Sequence, residues 1–282
     1  MRPSSLFGVV LFAAASTQSV RSAATPRPLP FTYTADTLDK GETEIEQYVD
    51  MTPVKATSEQ TGKPVWYMAT QFQTEYEHGL TDRLELGLYL ALMPDPGSAY
   101  VNAATLTEGT GFKERLRYRL ADAGEWPVDV ALYGELVEYM TEFEIEAKII
   151  LERRIGRLRI AANAWAEREF YYTPTQLANG TVVNEQDWVL NPTVGATYQI
   201  IPEFHAGVEY WMRVEFPNTP VSNPRPFSIG PNQFVGPALM LNFGHLWWST
   251  GVYLRVNDID RTAQPLDDYG PIWVRTVVGL EL

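Results

Sequence analysis

The chain has no cysteine among its 282 residues. Disulfides are therefore excluded, and so is a lipid anchor of the kind that needs a cysteine after an export signal. Basic residues are few, with 22 Lys and Arg against 35 Asp and Glu and a formal net charge of −13. That balance argues against nucleic acid as a partner, and against docking on anionic headgroups through a basic patch. No stretch after the first 25 residues reaches the roughly 20 consecutive apolar residues of a membrane helix. Histidine is scarce as well, with three copies, and no spacing suited to metal ligation appears, so neither a metal nor another cofactor is expected.

What is present is alternation. From Leu84 to Leu92, leucine occupies every second position, with Glu85, Gly87, Tyr89 and Ala91 between. A period of two is strand geometry, placing the leucines on one face and Glu85 on the other. Just before it, Phe72, Thr74 and Tyr76 alternate with Gln73, Glu75 and Glu77, and His78–Asp82 supplies turn residues. The same reading along the chain gives twelve strands: 42–51, 67–78, 84–93, 111–120, 128–139, 142–152, 158–170, 188–200, 204–216, 233–243, 248–256 and 272–282. Their links alternate short and long. Short links fall near residues 80, 123, 155, 202 and 245, and longer ones near 60, 102, 178, 223 and 264; only the link at Thr141 breaks the rule.

Loop lengths segregated to two sides, with strands of about 10 residues, match an up-and-down transmembrane barrel better than a soluble sandwich. Aromatic residues cluster near both strand ends, as two lipid–water interfaces favour: Tyr76, Tyr118, Trp126, Tyr198, Phe204, Phe243 and Trp247 at one, Phe112, Phe143, Phe170, Trp188, Phe216 and Phe234 at the other. The expected fold is thus all-β: an antiparallel up-and-down transmembrane β-barrel of about 12 strands after a cleaved signal peptide. Residues 1–24, with Arg2 and the apolar run 6–15, read as the signal peptide. Residues 25–41, with prolines at 26, 28 and 30, read as an extended, poorly structured lead-in, and residues 42–282 as the barrel.

With strand twelve closing on strand one, Glu44, Glu46, Glu75, Glu77, Glu85 and Glu281 gather at the short-turn end, beside Arg115, Arg117 and Arg119. Glu144 and Glu146 stand across the lumen. The charges form either a cross-strand ladder that stiffens the wall or a constriction that selects solutes. On balance the lumen is acidic, so an open passage is expected to prefer cations. Calcium at the carboxylates is argued against by the adjoining arginines. The partners expected are outer-membrane lipid, a small solute the sequence does not name, and the barrel-assembly machinery through the C-terminal strand, which alternates up to Leu282.

The lead-in PFTYTADTLDKGETEIEQYVDM, the hairpin YEHGLTDRLELGLYL and that closing alternation resemble a family of outer-membrane channels named after the MetA pathway of phenol degradation, and related families of unknown function. The resemblance implies a barrel in the outer membrane of a Gram-negative bacterium passing small organic molecules. It brings no catalytic residues. Two other readings stand beside it: a barrel-type lipid hydrolase using His205 opposite Ser249, and a closed barrel with a structural or surface role.

Overall fold

The computed structural model describes residues 26–57, 61–94, 106–107, 109–176, 180–217, 229–257 and 269–282. The expected signal peptide and the loop prolines Pro220, Pro224 and Pro226 lie outside them. The strands are β1 (Thr43–Thr57), β2 (Pro64–Thr81), β3 (Leu84–Leu92), β4 (Gly111–Arg119), β5 (Asp129–Tyr139), β6 (Glu142–Ile155), β7 (Leu158–Tyr171), the two-residue pieces β8 (Thr175–Gln176) and β9 (Val182–Val183), then β10 (Gln186–Leu190), β11 (Thr193–Ile201), β12 (Phe204–Pro217), β13 (Ile229–Asn242), β14 (Leu246–Arg255) and β15 (Ile272–Glu281).

Each of the twelve strands read from the sequence is there. The eighth is broken at Asn191–Pro192 into β10 and β11, which lie end to end between β7 and β12. Proline lacks the N–H that would continue the ladder. All neighbours are antiparallel, and the ring closes through β15, which pairs with both β14 and β1. The seam sets Glu44 opposite Glu281 and Met51 opposite Val274. Closure leaves no unpaired edge, which a wall in lipid requires.

The outer face carries the apolar half of each strand: Leu88, Leu90, Leu116, Leu132, Ile149, Val208 and Leu254 are all exposed. The polar half points inward, where Glu44, Glu46, Glu75, Glu85 and Arg115 are fully buried. Soluble proteins reverse this order, and a barrel whose outer solvent is lipid requires it. Two belt aromatics depart from expectation. Trp247 and Phe234 are fully buried in the lumen, because each falls on the inward parity of its strand, and Trp248 takes the outward place beside Trp247.

The largest departure concerns the lead-in. Residues 26–41 form no strand or helix, yet the segment is not loose: Arg27, Leu29, Phe31, Tyr33, Ala35 and Leu38 are all buried. It enters the lumen from the short-turn end, where Gly41 N–H donates to Gly79 O at 2.8 Å. It then bends across residues 28–32, so that Arg27 returns against the Tyr33 ring. Its side chains supply part of the core of the barrel interior. Phe31 packs with Trp211, Phe234 and Tyr253, and Tyr33 with Ala131, Tyr133 and Ile150.

Candidate functional site

The site is the plugged lumen, and strand register sets which side chains meet across its wall. Glu75 and Glu77 share the inward face of β2, Glu85 that of β3, and Arg115 and Arg117 that of β4. Pairing sets Arg117 opposite Glu85 and Arg115 opposite Gly87. Gly87 has no side chain, so the Arg115 guanidinium crosses over β3 and reaches β2. Its Nη2 lies 2.8 Å from Glu75, 2.6 Å from Glu77 and 2.7 Å from Glu85. A Cβ on Gly87 would collide with Arg115 Nε and Glu75 Oε1. Arg117 pairs with Glu85 at 2.7 Å.

Not every predicted charge joins this cluster. Arg119 sits at the rim and donates to Asp82 O at 2.9 Å, because its register carries it to the turn. Glu281 is also at the rim, 2.8 Å from the exposed His245 ring. Glu44 accepts the Trp247 indole N–H, and Glu46 the Tyr48 hydroxyl. Across the lumen, Glu146 pairs with Lys148. Lys148 Nζ lies over the rings of Trp165 (3.6 Å) and Tyr133 (3.9 Å). Glu144 faces the cavity on the long-loop side.

Wall carboxylates and one wall amide also hold the plug by its backbone. An extended segment without strand partners leaves its N–H groups to be satisfied by side chains. Glu209 accepts from Phe31 (3.1 Å) and Thr32, Asn163 from Tyr33 (2.8 Å), Glu152 from Ala35 (2.8 Å) and Glu85 from Leu38 (2.8 Å). These acceptors come from β12, β7, β6 and β3, so the segment is gripped from around the wall. Asp36 adds ion pairs with Arg154 and with Arg159 at 3.1 Å. Burial works against the charge of Asp36, but Arg159 and Arg154 outweigh it and hold the carboxyl below the usual carboxylate range.

At the inner end of the segment, Arg27 is buried against three glutamates: Glu46 at 2.9 Å, Glu75 at 3.1 Å and Glu77 at 2.9 Å. Burial disfavours its charge; Glu46 and its neighbours overcome that and raise its pKa well above the ordinary value. Sequence reasoning missed Arg27, Phe31 and Asp36. A cue was available in the alternation of Leu29, Phe31, Tyr33 and Ala35 with polar residues and proline.

Above the plug, on the long-loop side, lies a cavity of about 360 Å³. Phe31 forms part of its floor, with Trp211 and Trp273, and Glu144, Glu146, Glu167 and Glu169 line one side against Lys113 and Arg213. Among the described residues, buried acids outnumber buried bases. The pairing imagined for a hydrolase does not form. His205 and Ser249 are separated in the ladder by Met240, and His205 Nδ1 and Ser249 Oγ each lack a hydrogen-bond partner among the described residues.

The model of the family of unknown function DUF6662 matches residues 22–257. The chain belongs to that family. No curated protein matches it in sequence. Among solved structures it is similar to the COG4313 outer membrane channel from Pseudomonas putida F1, with 12% identity, a TM-score of 0.54, and coverage of 88% of this chain and 98% of that one. The NanC porin is 10% identical with a TM-score of 0.48, over 84% of this chain and 100% of that one. At such identities the first likeness is one of fold: this DUF6662 chain has the closed architecture of an outer-membrane β-barrel. The narrower resemblance to the phenol-pathway channels gains no support from these matches.

Proposed function

We propose that this DUF6662 protein is an outer-membrane channel for small solutes, with an acidic, cation-preferring lumen narrowed by its own N-terminal segment. The observation that carries the reading is the cavity above the plug, bordered by Glu144, Glu146, Glu167 and Glu169. Rings and rows of carboxylates in a pore concentrate cations and repel anions. The apolar outer face supports residence in lipid, the export signal read in residues 1–24 supports passage through the inner membrane, and the alternating C-terminal strand supports insertion by the barrel-assembly machinery. The resemblance to phenol-pathway channels favours small organic solutes. No enzymatic step enters this reading, since His205 and Ser249 do not meet.

Single-channel recording in a planar bilayer under a salt gradient tests it. Discrete steps with a reversal potential on the cation side are expected, and low salt should accentuate the preference because screening weakens. An anion-selective protein would overturn the acidic-lumen reading. The filled lumen favours one other reading, a closed barrel with a structural role. That reading predicts no steps from the intact chain, and none from a variant lacking residues 26–38.

A further inference from the structure

Arg27 occupies what is, in chemical terms, a receptor. Its guanidinium meets three buried carboxylates at 2.9–3.1 Å. It also lies over two tyrosine rings, 4.2 Å from the Tyr33 centroid and 5.3 Å from that of Tyr48. A planar, weakly hydrated cation suits such a cage better than a metal ion, which would want oxygen on every side where the rings present π faces. All three carboxylates, Glu46, Glu75 and Glu77, and one ring, Tyr48, belong to the wall, so most of the cage survives without the plug. The cage also has capacity to spare: Glu46 Oε1 is fully buried with no hydrogen-bond partner among the described residues. A space of about 60 Å³ borders both tyrosines, leaving room beside the bound group.

We propose that this pocket is a binding site for guanidinium-bearing organic cations, filled in the resting protein by the chain's own Arg27, and that a free cation of this class competes with the N-terminal segment and releases it. The inference rests on the channel reading for its purpose, since it makes the solute class the key to the plug. It does not depend on conduction for its test.

The absence of cysteine makes Thr34→Cys a single reporter, because Thr34 is buried within the plug. In detergent-solubilised protein, labelling of that cysteine by a neutral maleimide should be slow, and millimolar methylguanidinium should quicken it several-fold. An equal concentration of tetramethylammonium, which has no N–H to offer the carboxylates, should not. With Arg27→Ala added, labelling should be fast without any cation, and methylguanidinium should raise the melting temperature of that variant by filling the vacant cage. If Arg27→Ala fails to fold, Arg27→Lys keeps a charge but loses the planar fork, and release should then need about tenfold less methylguanidinium. Equal effects of the two cations on labelling, with no thermal gain in Arg27→Ala, would overturn the proposal. A conducting barrel with that result would lose this inference alone. A non-conducting barrel that passes both tests would lose the channel reading and keep the site.

Discussion

Glu209 of β12 accepts the backbone N–H of Phe31 at 3.1 Å, tying the plug to a strand 178 residues further along the chain. The same carboxylate accepts from Thr32 and from the Tyr253 hydroxyl. Glu209→Ala removes the acceptor for all three, and a buried donor left unpaired costs about 1–3 kcal/mol. Maleimide labelling of Thr34→Cys should accelerate about tenfold or more in that background. Glu209→Gln keeps one acceptor oxygen and should lie between the two. Equal labelling in all three would mean the plug is held elsewhere.

Gly87 and Gly134 make a matched pair on the wall. A Cβ at Gly87 drives into Arg115 and Glu75, whereas one at Gly134 meets nothing within 4 Å. Gly87→Ala should therefore destabilise the barrel by about 1–3 kcal/mol, the usual cost of overpacking a filled interior. Gly134→Ala should leave it unchanged. Urea unfolding in detergent micelles, followed by tryptophan fluorescence, compares them.

Glu114 is the odd residue of the outer face. It is exposed between Phe112 and Leu116, and its ladder neighbours are Leu88 and Leu136. No hydrogen bond or ion pair engages it among the described residues. An acidic group facing lipid carries a penalty below the ~2–4 kcal/mol of a basic one at the midplane, so Glu114→Leu should stabilise the barrel by about 1 kcal/mol. A loss of stability on that change would place Glu114 outside the hydrocarbon layer.

Selectivity separates the arginines. Arg115 and Arg117 lie inside against Glu75, Glu77 and Glu85, while Arg119 lies at the turn. Replacing Arg115 and Arg117 with glutamine should move the reversal potential further toward the cation side, and Arg119→Gln should barely move it. Unchanged selectivity in the double variant would make these charges a wall ladder and not a filter.

The plug should also respond to acid through Asp36. Its carboxyl titrates below the usual range because Arg159 and Arg154 outweigh burial. A depressed folded pKa means the stabilisation is complete above the unfolded value, about 3.9, and disappears as pH falls through the folded one. Asp36→Asn should thus loosen the plug at pH 7, and the gap from the parent should narrow only below about pH 4. Thiol labelling of Thr34→Cys across that range measures it.

The barrel was legible because lipid imposes a strict period of two and turns supply punctuation. Leu88 and Leu90 face out, and Glu85 and Tyr89 face in, as alternation requires. The rim position of Arg119 was not, since a strand pattern says which face a side chain takes but not how far along the pore it reaches. The plug was hidden for another reason. Its backbone bonds go to side chains on strands far away in sequence, a partnership no local pattern encodes, and three prolines in five residues read as a linker. Trp247 and Phe234 were drawn into belts by position along the strand, when parity alone decided that they face the lumen.

The seam pairing Glu44 with Glu281 has a kinetic side. Nearly the whole chain must be present before the ring shuts, and contacts so distant in sequence form slowly. The acceptors for the plug's amides sit on β3, β6, β7 and β12, so the plug, though made early, cannot seat fully until strands as late as β12 have assembled. During refolding, the compact, heat-modifiable barrel should therefore appear on a gel before Thr34→Cys becomes protected, making the stopper the final piece to seat.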